Sequence, residues 1–141
     1  MASVLIVDDE AAIRATVRAG LEDAGYTVIE AGSGAQALDT LRATSDSLVV
    51  LVDLRMPDVS GFELLRQVEL DPALIERHAY IVLSADEQSL PVVRAMRSAI
   101  VLTGIAKPFD LDTLLATVAQ AATTRAGMPR AGGKPSGGPQ G

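Results

Sequence analysis

Cysteine is absent from this chain, which excludes disulfides, thiol nucleophiles and thiolate zinc sites and fits a reducing compartment. Tryptophan is absent too, and two tyrosines and two phenylalanines make up the whole aromatic content, so there is little on which nucleic-acid bases could stack. Although 48% of the residues are hydrophobic, no apolar run approaches the roughly 18 residues of a membrane span. Three acids at 8–10 interrupt any signal-peptide core. A soluble, cytoplasmic protein is expected. No acid lies at or beyond residue 125, where Arg125, Arg130 and Lys134 stand. Residues 1–124 carry nine basic and 18 acidic groups, net −9. A body this acidic would repel a phosphate backbone, so direct nucleic-acid binding is not expected.

What is present is an alternation. At 141 residues the chain suits one domain with a real core. The run VLIV (4–7) reads as a strand covered on both faces. Ile13, Val17 and Leu21 then mark one face of a helix ending near Gly25, and TVIEA (27–31) reads as a second strand. Ala37, Leu38 and Leu41 mark a second helix, SLVVLVD (47–53) a third strand, and Phe62, Leu65 and Val68 the helix after it. AYIVLSA (79–85) is a fourth strand. Pro91, suited to a first helical turn, precedes Val93, Met96 and Ile100. A short fifth strand falls within 101–106, and Leu111, Leu114, Leu115 and Val118 mark the last helix. Five strands alternating with five helices predict a single open parallel α/β sheet with helices on both faces, over residues 1–124. Residues 125–141, rich in glycine and proline and basic, read as a disordered tail or a truncated linker.

In such a sheet, ligands bind beyond the carboxyl ends of the strands. Asp8 and Asp9 follow the first strand, Asp53 ends the third, Ser84 ends the fourth and Lys107 follows the fifth. Each has an ordinary alternative: acids after strands cap helices, a serine in SAD starts a turn, a lysine before proline is solvated. Together, at these strand ends, they point to a site. The crowded acids Asp8, Asp9 and Glu10 make sense beside a positive ion. Carboxylates with backbone carbonyls suit magnesium, which keeps waters and bridges to phosphoryl groups. No GxxxxGK[ST] loop is present to cradle a nucleotide. A phosphoryl group would therefore pass to a side chain, for which a carboxylate is a feasible nucleophile. The lysine could neutralise one phosphoryl oxygen while the serine hydroxyl bonds another.

The segments VDDE (7–10), VDLRMPDVSGFELL (52–65), LSA (83–85) and KPF (107–109) resemble the receiver domain of two-component response regulators, over residues 3–124. The resemblance implies a flavodoxin-like sheet of order 2-1-3-4-5. It implies that Asp53 is the phosphoacceptor in a phosphorelay, taking phosphate from a sensor histidine kinase or a histidine phosphotransfer protein. It further implies Mg²⁺ held by Asp9, Asp53 and the backbone carbonyl of Arg55, with Asp8 acting partly through water. Ser84 would be the switch hydroxyl and Lys107 the phosphoryl-binding base. Met56, Pro57 and Gly61 would shape the loop after Asp53, and Pro108 would be the family's cis proline. Such a domain catalyses only its own phosphorylation and dephosphorylation.

The chain departs from that pattern on the output side. Gly104 stands where many receivers carry an inward-turning aromatic, and IVLT (100–103) stands where the loop is usually polar. An association face around the helix over 91–100 and the fifth strand, used by a homodimer or a downstream protein, is one reading of this apolar run. Burial of Ile100, Val101 and Leu102 by an extended helix is the other. A magnesium-dependent phosphatase of the haloacid-dehalogenase type normally needs an acid two residues after its nucleophile, and Arg55 is there. A scaffold that never sees phosphate would more often have lost Asp53 or Lys107. His78, away from the strand carboxyl ends, is expected at the surface without a catalytic role. Tyr26, Phe62, Tyr80 and Phe109 are expected to be packing residues.

Overall fold

The computed structural model describes residues 3–53, 61–84, 101–106 and 110–126. Along the chain run β1 (Ser3–Val7), α1 (Ala11–Asp23), β2 (Thr27–Ala31), α2 (Gly34–Ala43) and β3 (Leu48–Asp53). They are followed by α3 (Gly61–Glu69), α4 (Pro72–Arg77), β4 (Ala79–Ser84), β5 (Val101–Ala106) and α5 (Leu111–Ala126). The strands form one sheet in the order β2-β1-β3-β4-β5, every neighbouring pair parallel. This is the flavodoxin-like order, and it puts β1 and β3 side by side at the point where strand order reverses.

The uninterrupted apolar runs are explained by two cores, one on each side of the sheet. Leu5, Val7, Val50, Val52, Tyr80 and Val82 pack with residues of α2, α3 and α4. Val4, Ile6, Val49, Leu51, Ile81 and Leu83 pack with Val17 and Leu21 of α1 and Leu114 and Val118 of α5. Successive side chains of one strand thus enter opposite cores, as the two-residue period of a strand requires. All six residues of β3 are buried.

Local chemistry fixes where the helices stop and start. After α1, Tyr26 N–H donates to Leu21 O and Gly25 N–H to Glu22 O, both at 3.0 Å. Gly25 has φ 99°, so this is a Schellman closure in which glycine takes the left-handed position at little cost. At the start of α2, Ser33 Oγ accepts from Gln36 N–H at 3.2 Å, while Gln36 Oε1 accepts from Gly32 N–H at 2.7 Å. This is close to a reciprocal capping box. Asp71 caps α4, accepting from Ala73 N–H at 3.2 Å, with Pro72 in the first turn.

The structure adds one element, decides one open alternative in favour of the expected fifth strand, and corrects one expectation. The six-residue α4 was not anticipated, while the helix expected over 91–100 lies outside the described residues. Residues 101–103 belong to β5 and not to an extension of that helix. His78 is not at the surface: it is fully buried, accepting from Leu48 N–H at Nδ1 (3.0 Å), with Nε2 3.4 Å from Leu41 O. It therefore fastens the start of β3 to the end of α2, at the edge of the sheet opposite the acids. Tyr80 is buried as a packing residue, its hydroxyl donating to Leu74 O at 2.9 Å, and Tyr26 packs against the α1/α5 core.

Candidate functional site

The register of the sheet assembles the site. Val7 pairs with Val52, so Asp8 and Asp53 follow directly from paired residues of the two central strands. Asp53 pairs with Leu83, and Ser84 with Ala106. The carboxyl ends of β1, β3, β4 and β5 therefore bring Asp8, Asp53, Ser84 and the residue before Lys107 to one edge.

The acids meet there. Asp8, Asp9 and Asp53 each offer a carboxylate oxygen, and these oxygens all lie within 4.8 Å of one another. Asp8 is 0% exposed and Asp53 5%, whereas Asp9 is exposed. Among the described residues the buried polar or charged side chains are Asp8, Asp53 and His78, so two of three belong to this cluster. Burial of like charges at such spacing is unfavourable without a counter-charge. The donor set is all oxygen, with one side open to water through Asp9, which fits a hard divalent ion that retains part of its hydration shell.

The loop that carries the pair is held by its own backbone and by α1. Asp8 N–H donates to Ala31 O at 3.2 Å, continuing the β1–β2 ladder. Asp8 Oδ1 accepts from Glu10 N–H at 2.9 Å, which turns the chain into α1. Arg14 Nη1 donates to the carbonyl of Asp8. Arg14 Nε meets Glu30 Oε1 at 2.9 Å, and Arg18 Nη1 meets Glu30 Oε2 at 2.8 Å. Arg18 and then Arg14 hold the Glu30 carboxyl below the usual glutamate range. Arg14 escaped the sequence reading because a bond to a main-chain carbonyl leaves no motif. Its only trace is an arginine six residues after Asp8.

Arg55, Met56, Pro57, Lys107, Pro108, Phe109 and Ile100 lie outside the described residues. So do the side chains of Ser84, Phe62, Val101 and Leu102.

The family model for the response regulator receiver domain matches residues 4–119. The chain belongs to that family. It is 30% identical over 111 residues to sporulation initiation phosphotransferase F of Bacillus subtilis, covering 79% of this chain and 86% of that protein. Similarity to the sensory/regulatory protein RpfC of Xanthomonas campestris pv. campestris is 31% over 121 residues, 86% of this chain but only 16% of that longer protein. A solved CheY-like receiver domain from Methanospirillum hungatei superposes with a TM-score of 0.79 at 31% identity, covering 90% of this chain and 98% of that one. The chain is accordingly a phospho-accepting receiver of two-component signalling, and neither a phosphatase nor a phosphate-blind scaffold is favoured. Receiver domains are generally signalling modules that do not turn over a metabolite. They bind Mg²⁺ through an acidic aspartate cluster, which is present here, and accept phosphoryl groups from histidine kinases or phosphotransfer proteins. Among the described residues no helix is long and apolar enough to cross a membrane.

Proposed function

We propose that Asp53 is the phosphoacceptor and that it takes the phosphoryl group from a phosphohistidine. The observation that carries this reading is the carboxylate cluster of Asp8, Asp9 and Asp53 at the carboxyl ends of the two central strands. Asp53 ends a strand that is buried throughout. A carboxylate oxygen of Asp53 attacks phosphorus, the P–N bond breaks as the P–O bond forms, and the departing imidazole takes up a proton.

Asp8, Asp9 and Asp53, with the backbone carbonyl of Arg55, would hold Mg²⁺. When bound, the ion neutralises charge on the acids and on the incoming phosphoryl oxygens. Asp9, exposed at the rim, is the acid most open to water and the donor. Ser84 and Lys107 are proposed to bond the other phosphoryl oxygens, a reading supported by the pairing of Ser84 with Ala106 at the ends of β4 and β5. The acyl phosphate is then lost by water attack, so both steps are the protein's own. Residues 1–124 are the proposed receiver unit, residues 125–141 a tail or linker, and the cytoplasm the proposed compartment. The output partner, or a second copy, is proposed to recognise the apolar segment Ile100, Val101 and Leu102.

Incubation with a small phosphodonor such as phosphoramidate, followed by intact mass measurement, tests the chemistry. One phosphoryl mass should appear with Mg²⁺, disappear with EDTA and be absent from Asp53→Asn. Equal labelling of the Asn variant, or none in the wild type under any donor, would overturn the assignment.

A further inference from the structure

The acidic pair sits on a turn, and turns hold their shape only as well as their backbone groups are tied. The Asp8 peptide is tied twice: its N–H to Ala31 O at 3.2 Å, its carbonyl to the guanidinium of Arg14. The second tie is the unusual one. Arg14 is anchored at its other edge, where Nε reaches Glu30 Oε1 at 2.9 Å. Glu30 is itself fixed on β2, opposite Ile6 of β1. One planar side chain thus links the carbonyl just ahead of Asp9 to a strand, with 18% of its own surface exposed. Gly32 lies beside this seat, where even an added Cβ would stand at an ordinary contact distance of 3.4 Å from Arg14 Nη1.

We propose that Arg14 is a positioning residue for the acidic cluster, fixing the Asp8–Asp9 peptide so that both carboxylates stay within reach of Asp53. This rests on the reading that the cluster binds Mg²⁺. The two things a guanidinium can do here have opposite signs. As a charge beside the site it repels a divalent cation; as a clamp it preserves the donor spacing a small, demanding ion needs. A planar fork does the second in a way that an ammonium does not.

Isothermal titration with Mg²⁺ alone separates the two. Arg14→Met keeps the aliphatic stem and removes both charge and donors, while Arg14→Lys keeps the charge and loses the fork. Removing supports of metal ligands typically weakens affinity by about 10- to 100-fold. Because Arg14 holds a peptide and not a ligand oxygen, both variants should bind Mg²⁺ about tenfold more weakly, at the low end of that range, with an unchanged far-ultraviolet circular dichroism spectrum. Tighter binding by Arg14→Met with wild-type affinity in Arg14→Lys would mean that only charge matters and would overturn the proposal, as would wild-type affinity in both. If the Met variant fails to fold, the Lys variant decides. A wild type that binds no Mg²⁺ would sink the metal reading and this inference together, whereas a binding wild type with unaffected variants sinks only this one.

Discussion

In magnesium-free buffer, Asp53→Asn is expected to raise the stability of the fold. Oxygens of Asp8, Asp9 and Asp53 lie within 4.8 Å of one another. At such a separation two like charges repel by about 1 kcal/mol in bulk water and about 3.5 kcal/mol at an effective dielectric constant near 20. The pair with Asp8 belongs near the upper value because Asp8 is fully buried and Asp53 nearly so; the pair with exposed Asp9 belongs near the lower one. Salt screening reduces both, and exchanging a carboxylate for an amide weakens the hydrogen bonding of the group by about 1 kcal/mol. The favourable interactions that Asp53 makes in the wild type come off that sum, leaving a net gain of about 1 kcal/mol, roughly 3–5 °C in Tm for a domain of this size. Thermal unfolding followed by far-ultraviolet circular dichroism in EDTA measures it, a suitable probe for a chain without tryptophan. Mg²⁺ at ten times its dissociation constant should then add about 1.4 kcal/mol to the wild type and less to the variant, narrowing the gap. An Asn variant with equal or lower Tm in EDTA would show that repulsion does not outweigh the favourable interactions of Asp53, and the case for a cation at the cluster would lose its electrostatic basis.

His78→Phe should fill the space of the imidazole yet strand the buried Leu48 N–H, costing about 1–3 kcal/mol; wild-type urea midpoints together with unchanged amide-exchange protection at Leu48 would refute this. Glu30 supplies a pH dependence: Arg18 and Arg14 hold its carboxyl below the usual range, so the unfolded chain takes up a proton before the folded one. Its contribution is present above the usual glutamate range and is lost as pH falls through the depressed value. Glu30→Gln should therefore flatten the acid limb of the stability profile, and superimposable acid limbs would refute the linkage.

The strands were legible because a parallel sheet buried on both faces demands long apolar runs, and VLIV and LVVLVD have no other natural home in a chain of this length. The end of α1 was legible through Gly25, where the turn requires a positive φ. The acidic edge was legible because acids directly after such runs are unexpected on packing grounds alone. Other features resisted for physical reasons. Asp71-Pro72 is a sound helix start, but α4 is six residues long with only Leu74 buried, too short for a periodic apolar signal to register. His78 was misplaced because histidine suits surface and core equally. What buries it is a need at the far end of the sheet, an acceptor for the first amide of β3. That need belongs to the fold and to no local pattern.

Gly104 marks where the site's two halves differ in firmness. Asp8 and Asp53 follow central strands, and β3 has every residue buried. The Ser84 and Lys107 contacts proposed for the phosphoryl oxygens instead come from the ends of β4 and β5, and β5 is one of the two edge strands. Between the pairs Tyr80↔Val101 and Ile81↔Thr103, β5 advances two residues while β4 advances one, so Leu102 is the extra residue of an irregularity in the ladder. Opposite Val82 stands Gly104, which contributes no side chain to packing. An edge position, an interrupted ladder and a missing side chain each lower the cost of displacing a strand. With no aromatic at 104 to rotate, the expected response to a phosphoryl group bonded from β4 and β5 is a shift of the β5 backbone, which amide hydrogen exchange across Val101–Ala106 with and without phosphorylation would measure. The proposed acceptor chemistry thus rests on a fully buried central strand, and its expected readout on an edge strand with an interrupted ladder.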